Sequence, residues 1–150
     1  MKFSGFDEII QFAIKNEEEA IKAYGDMSEK AQIPGLRELL LEFQEEEKKH
    51  KRLLQNLTSE KTESLKLKEV EDLKISDYLV EEPPGEEMTF QDLLIFAAKK
   101  EQKAVELYSS LRDRVGSEEL KKLFDFLINQ EKSHKLKLEK EYEKHVLEED

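Results

Sequence analysis

Two Glu-x-x-His pairs carry the clearest chemical meaning in this 150-residue chain. One pair lies in each half of the chain, and a lone glutamate precedes each pair at the same spacing. The six side chains are Glu17, Glu47, His50, Glu101, Glu131 and His134. A duplicated set of carboxylates and imidazoles is the ligand inventory of a two-metal centre inside four helices.

The alternative to a metal centre is a purely structural bundle. A lone Glu-x-x-His is common in charged helices, and a bundle can bury glutamates beside histidines or lysines. Burial of a carboxylate costs several kcal/mol, however, and only two histidines would offset four of them here. Two divalent cations would balance the four negative charges, so the complete set favours a pair of metal ions.

Helices are predicted because apolar residues recur at steps of three and four in four stretches of the chain. The candidate ligands all fall on the apolar stripes of these stretches, which face the core. The stripe of the first stretch reads Phe6, Ile10, Ala13, Glu17, Ala20, Tyr24 and Met27. Charged neighbours such as Glu18, Lys49 and Lys100 lie off the stripes and are predicted to be solvated.

Capping and turn residues predict where these helices begin. Pro34 suits the first turn of the second helix, and Ser117 suits the start of the fourth. Ser4 and Thr89 each precede an aspartate by three residues, which predicts capping boxes on the first and third helices. The connections within each pair of helices are short, so each pair is predicted to form an antiparallel hairpin.

The predicted fold is therefore all-α, one antiparallel four-helix bundle in a single domain. Its first hairpin covers about residues 5–57, a long crossover about 58–86, and the second hairpin about 88–147. The crossover is expected to be partly helical and to pack across the bundle. The side chains expected to make that contact are Leu73, Ile75, Tyr78 and Leu79.

The two hairpins are related by duplication. Residues 6–24 and 90–108 share seven identities over 19 positions. In the first hairpin, Glu17 precedes the turn at Ile33 by nearly the same stretch of chain that separates this turn from Glu47 and His50. At about 1.5 Å per residue, these three side chains reach the same height, and the second hairpin repeats the spacing. A pseudo-two-fold axis is expected to pass between the two metal positions.

Tyr24 and Tyr108 occupy matching positions, two helical turns after the lone glutamates of the two hairpins. Each hydroxyl is predicted to hydrogen-bond a ligand carboxylate from a facing helix and to fix its orientation. The alternative is a core aromatic residue whose hydroxyl finds any available partner. The repetition of the position favours a role beside the metal site.

Composition excludes several classes of function. Net charge is −11, with 36 acidic and 25 basic residues, which disfavours nucleic acid and anionic membranes. There is no cysteine, so disulfides, iron–sulfur clusters and thiol chemistry are excluded. No signal-like segment or apolar run of membrane-spanning length is present, so a cytoplasmic protein without membrane or nucleic-acid partners is expected.

The pattern Glu17-x-x-Ala20-x-x-x-Tyr24 with Glu47-x-x-His50, and its repeat in the second half, resembles the diiron domain of rubrerythrins. More broadly, it is similar to the ferritin-like superfamily, including bacterioferritin. The resemblance implies a ferritin-like bundle with two metal ions, most often iron, although manganese or a mixed pair is compatible with the same ligands.

By resemblance, Glu47 and Glu131 are bridging carboxylates, and the remaining four ligands are terminal. The implied function is a diiron oxidoreductase that reduces peroxide or dioxygen, with a role in oxidative stress. The alternative is an iron-binding, ferroxidase-type protein that handles iron without a turnover cycle. Related bundles pair along their helix faces, so a homodimer is expected.

Two departures from rubrerythrins limit what the resemblance implies. The chain has no Cys-x-x-Cys motif for a rubredoxin-like iron site, so electrons would come from a separate donor such as a rubredoxin-like protein. Rubrerythrins also carry an extra glutamate one turn from the ligand of the third helix. Alanines, Ala98 and Ala104, stand there in this chain.

Overall fold

The four amphipathic stretches form four long helices in the computed structural model, which describes residues 5–60, 78, 80 and 89–144. The helices are α1 (Phe6–Lys30), α2 (Pro34–Glu60), α3 (Phe90–Arg114) and α4 (Glu118–Tyr142). No strand occurs among the described residues. The prediction of an all-α four-helix bundle is confirmed.

The packing of the helices follows from their short connections. Helix α1 packs on α2, α3 packs on α4, and α1 and α3 join the two hairpins. Tyr24 of α1 contacts Glu101 of α3, whereas Glu17 contacts Tyr108, so these two helices run in opposite directions. The first helix of each hairpin ends in the same way, because the backbone N–H groups of Ala31 and Val115 each donate to the carbonyl four residues earlier.

Three of the predicted helix starts agree with the structure, and one differs. Thr89 and Asp92 form a complete capping box on α3, the Ser117 side chain accepts from the backbone of Leu120, and α2 begins at Pro34. Helix α1 instead has Gly5 at its N-cap, with no side-chain capping bond. Ser4 lies outside the described residues.

Apolar residues form two core clusters, one on each side of the middle of the bundle. The first joins the start of α1 to the end of α3 and includes Ile10, Tyr108 and Phe124. The second joins the end of α1 to the start of α3 and includes Met27 and Leu94. Side chains placed between the clusters are therefore shielded from water along the bundle axis in both directions.

Beyond the end of α2, the predicted crossover is described only at Tyr78 and Val80. Tyr78 is buried in the first core cluster, and its hydroxyl lies 3.2 Å from Ser110 Oγ on α3. The other three side chains expected to pack across the bundle, Leu73, Ile75 and Leu79, lie outside the described residues. Helix α2 extends to Glu60, beyond the predicted end of the first hairpin.

Lys100 differs from its predicted place on the solvated surface, because its side chain is only 9% exposed. Its ammonium group donates to Asn16 Oδ1 at 3.3 Å and to the Glu19 carboxylate, both on α1. It also lies 5.8 Å from the centre of the Phe96 ring. The long side chain covers the side of the α1–α3 contact while its charge is paired. The position of Lys100 off the apolar stripe therefore did not predict its burial.

Among the described residues, no helix is both long enough and apolar enough to cross a membrane.

Candidate dinuclear metal centre

The six residues singled out in the sequence meet between the two core clusters. Helices α1 and α3 supply one glutamate each, and α2 and α4 supply one glutamate and one histidine each. The six side chains are Glu17, Glu47, His50, Glu101, Glu131 and His134, none of which is more than 2% exposed. Because positions i and i+3 of a helix share a face, each Glu-x-x-His pair points both side chains into the bundle.

The ligand atoms form two overlapping groups. One group contains Glu17, Glu47, His50 and Glu131, and the other contains Glu47, Glu101, Glu131 and His134. Within each group, one oxygen or nitrogen from every residue lies within 4.8 Å of all the others. Glu47 and Glu131 belong to both groups. Two cations placed in these groups would therefore share two carboxylates, which is the arrangement of a dinuclear centre.

The histidines reach across from one hairpin to the other. His50 Nδ1 lies 2.8 Å from Glu131 Oε1, and His134 Nδ1 lies 2.9 Å from Glu47 Oε1. The same nitrogen of each histidine also lies 3.7 Å from the Oε2 atom of the lone glutamate in its own hairpin, Glu17 for His50 and Glu101 for His134. The matching distances show that the duplication seen in the sequence gives a nearly symmetric site.

The Nδ1 nitrogens of the histidines lie close to carboxylate oxygens, but these contacts do not have the geometry of hydrogen bonds, so the inward atoms of the six side chains are unpaired. In the part of the chain that the structure describes, every buried side-chain oxygen or nitrogen without a hydrogen-bond partner belongs to the six residues. These atoms are Glu17 Oε2, Glu47 Oε1 and Oε2, His50 Nδ1, Glu101 Oε2, Glu131 Oε1 and His134 Nδ1. Unpaired buried polar atoms are costly, so convergent lone pairs of this kind fit cations held between them.

Two tyrosines hold the carboxylates of the lone glutamates. Tyr24 donates to Glu101 Oε1 at 2.9 Å, and Tyr108 donates to Glu17 Oε1 at 2.5 Å, each across the α1–α3 contact as the sequence predicted. Burial raises the pKa of both hydroxyls well above the ordinary value, and the nearby carboxylates raise it further. Both tyrosines therefore stay protonated donors and leave the second oxygen of each carboxylate free for a metal ion.

The outer nitrogens of the histidines have partners that sequence reasoning missed. His134 Nε2 lies 2.7 Å from Glu46 Oε2, and His50 Nε2 lies 3.4 Å from Gln130 Oε1. Glu46 and Gln130 occupy matching positions, each directly before a shared carboxylate. Their matching positions in the repeat could have pointed to a shared role, but neither residue lies on an apolar stripe, where polar side chains stand out.

Bound protons neutralise part of the negative charge of this cluster. Burial raises the pKa of Glu47 and of Glu131 well above the ordinary value, and the neighbouring carboxylates add to the effect. Burial alone would raise the pKa of Glu17 as well, but its close contacts with Glu47 and His50 lower it below the ordinary value. The shared carboxylates of Glu47 and Glu131 therefore hold protons to a higher pH than usual when no cation is bound.

The histidines also retain protons. Burial alone would lower the pKa of His50, but its contact with the Glu17 carboxylate raises it above the ordinary value. For His134, burial is likewise outweighed by contact with Glu101, so its pKa is raised too. Cations entering the site must displace these protons, because metals bind neutral imidazole and ionised carboxylate.

Comparison with known proteins identifies the family. The family model described as rubrerythrin matches residues 8–142, nearly the whole chain. The chain belongs to the rubrerythrin family. The resemblance predicted from the two Glu-x-x-His pairs is thereby confirmed. No curated protein sequence matches this rubrerythrin-family chain significantly.

Two solved structures share the bundle. A protein of Pyrococcus furiosus, described only as hypothetical, is 32% identical, with a TM-score of 0.70 over 90% of this chain and 86% of that one. A Thermotoga maritima protein, described as a candidate ferritin-like diiron-carboxylate protein, is 22% identical, with a TM-score of 0.76 over 97% and 98% of the two chains. At that lower identity, the second likeness bears on the fold alone.

The raised pKa values of Glu47 and Glu131 predict how the stability of the metal-free protein depends on pH. Above their ordinary value of 4.5, the folded state binds more protons than the unfolded state, so the free energy of unfolding falls as pH rises. The histidines act in the same direction above 6.5. Thermal unfolding in chelator between about pH 5 and pH 8 should show a falling melting temperature.

The matched control is the double variant Glu47→Gln, Glu131→Gln, which keeps the shape of both side chains but removes their titration. Its melting temperature should depend less on pH than that of the parent. A metal-free parent that is more stable at about pH 8 than at about pH 5 would contradict the proton assignment.

Loss of either tyrosine hydroxyl should weaken metal binding. Tyr24→Phe and Tyr108→Phe each free a carboxylate oxygen from its donor, so the affinity for Co(II) should fall by about tenfold in calorimetric titrations. Tyr142→Phe, which removes a hydroxyl near Gln91 and far from the cluster along α4, is the control and should leave affinity unchanged. Equal affinity in all three variants would show that the tyrosines only fill the core.

Proposed function

We propose that this protein binds two metal ions between its hairpins and uses them to reduce peroxide or dioxygen. The observation that carries the proposal is the convergence of unpaired, buried oxygen and nitrogen atoms in two groups that share Glu47 and Glu131. A bundle without metal would leave these atoms without hydrogen-bond partners, and no lysine or arginine is fully buried among the described residues to offset the carboxylates.

The proposed ligands divide evenly between two positions. Glu17 and His50 would complete the position nearer the first hairpin, and Glu101 and His134 the position nearer the second. Glu47 and Glu131 would bridge them. Four ionised carboxylates and two divalent cations give a neutral set, which a dry site favours over any partly filled state.

Iron is the proposed metal, because glutamate and histidine suit it and the chain belongs to a family named for an iron protein. Manganese uses the same ligands. Two Fe(II) ions held at the site would supply the two electrons that, with two protons, convert one hydrogen peroxide to two waters.

The residues of the chain would keep this chemistry dry and oriented. Apolar clusters lie on both sides of the ligands, and each ligand side chain is almost fully buried. The Tyr24 and Tyr108 hydroxyls fix the terminal carboxylates of the facing helices. Because these ligand side chains are already held in position, they need to rearrange less when the charge on the metal ions changes.

Electrons for repeated turnover would come from outside the chain. No cysteine is present, so the chain has no rubredoxin-like iron site of its own. We therefore propose a separate donor, such as a rubredoxin-like protein. The bundle would then provide the site of reduction, and the donor would return the metals to their reduced state.

A second candidate function is iron binding or Fe(II) oxidation without a turnover cycle. Ala98 and Ala104 favour it, because both positions one turn from Glu101 are alanine, whereas rubrerythrins carry an extra glutamate one turn from the ligand of the third helix. Iron would then be substrate or cargo. Continuous consumption of peroxide in the presence of a reductant separates the two functions, since an iron-handling protein would stop after one stoichiometric oxidation.

Removal of a shared carboxylate should abolish the paired metal site. Glu47→Ala or Glu131→Ala removes a ligand from both groups at once, so metal content after loading and desalting should fall from two ions per chain to one or none. Glu18→Ala, at an exposed neighbour of Glu17, is the control and should keep full content. Equal metal content in the three variants would exclude the proposed ligands.

Addition of hydrogen peroxide to anaerobic, Fe(II)-loaded protein tests the reaction itself. The iron should be oxidised, with visible and near-ultraviolet absorption typical of a coupled ferric pair, and peroxide should disappear at one molecule per two iron ions. A reductant should then restore consumption. If the iron stays reduced and peroxide persists, the protein is not a peroxide reductase.

A further inference from the structure

The two histidines have different surroundings in an otherwise symmetric site. The repeat that relates His50 to His134 also relates Glu46 to Gln130. The outer nitrogen of His134 therefore faces a carboxylate at 2.7 Å, whereas that of His50 faces an amide oxygen at 3.4 Å. One histidine has a short, charged partner, and the other has a longer, neutral one.

The ring of His134 is also held more firmly. Phe43 stacks on it with ring centres 4.2 Å apart and ring planes inclined by 27°. The position that matches Phe43 in the second hairpin is Leu127, which has no ring. The ring of His50 is instead nearly perpendicular to that of Phe126, with ring centres 6.1 Å apart, and Phe126 is 48% exposed. Stacking on Phe43 fixes the plane in which the bond between His134 and Glu46 lies.

We infer that Glu46 makes the two metal positions unequal, so that the position at His134 fills first and binds more tightly. A carboxylate on the outer nitrogen orients the imidazole and makes its inner nitrogen a stronger donor to metal. Gln130 orients His50 without adding charge, so its effect is weaker. Glu46 belongs to neither ligand group, so it would act through His134 as a positioning residue.

The inference rests on the proposed two-metal function but concerns the order of filling rather than the reaction. Partners of a ligating histidine typically alter metal affinity by about 10–100-fold, so a difference of about tenfold between the two positions is expected. At one equivalent of metal per chain, the position at His134 should then hold most of the ions.

Histidine-selective ¹⁵N NMR during a Zn(II) titration tests the order, because the chain has only three histidines. Zn(II) is diamagnetic and binds imidazole and carboxylate, so it reports binding without any redox reaction. In the parent protein, the Nδ1 resonance of His134 should shift during the first equivalent and that of His50 during the second.

Reciprocal variants isolate the effect of Glu46. In Glu46→Gln, and separately in Gln130→Glu, the outer nitrogens of both histidines have partners of the same type, while the contact between Phe43 and His134 stays. The two histidine resonances should therefore shift much closer together in the titration than in the parent. In the double variant Glu46→Gln, Gln130→Glu, the order should reverse, with His50 shifting first. These exchanges keep side-chain size, and circular dichroism of each variant checks that the fold is retained.

The outcomes separate this inference from the proposed function. Parallel shifts in the parent, or an unchanged order in the double variant, would overturn the role of Glu46 while leaving the two-metal site intact. Failure of both histidines to shift at excess Zn(II) would overturn the two-metal site together with the inference.

Discussion

Burial of charge at the centre of an apolar bundle is the constraint on which the rest of the structure depends. Four carboxylates and two imidazoles are almost fully buried, and their inward atoms lack hydrogen bonds. Each buried carboxylate costs several kcal/mol unless it is compensated. Protons on Glu47, Glu131 and the histidines reduce that cost in the absence of metal, and two divalent cations would remove it more completely. The same groups therefore link stability, pH and metal binding.

Duplication explains how so short a chain builds a site with six converging ligands. One hairpin supplies a glutamate and a Glu-x-x-His pair at equal height, and the second hairpin repeats them. Because α1 and α3 run in opposite directions, each tyrosine meets the lone glutamate of the other hairpin. The site consequently forms only when both hairpins are packed together. Assembly of the site is thus coupled to folding of the whole bundle.

The fold and the ligand cluster could be predicted because both depend on periodic spacing. Residues such as Glu17 and Tyr24 lie on an apolar stripe, where a polar side chain stands out and its height can be counted. Off-stripe residues could not be placed in this way. Lys100 has the helical phase of a surface residue but is covered by contacts between α1 and α3. Such contacts depend on the side-chain geometry of two helices rather than on the pattern of one.

The same limit applies to the partners of the histidines. Glu46 lies among charged residues of α2, and nothing in its local sequence distinguishes it from Glu45. Its contact with His134 becomes visible only when α4 is placed against α2. The capping of α1 also depended on three-dimensional detail, since the helix begins after Gly5 rather than on a side-chain cap. Sequence spacing predicted the ligands themselves, and the structure was needed to find what orients them.

Anomalous diffraction from crystals grown with excess Fe(II) under anaerobic conditions tests the central claim most directly. The expected result is two iron peaks about 4 Å apart, both between Glu47 and Glu131, with one beside His50 and the other beside His134. No peak at the centre of the bundle, or iron bound only to exposed carboxylates, would contradict a dinuclear metal centre.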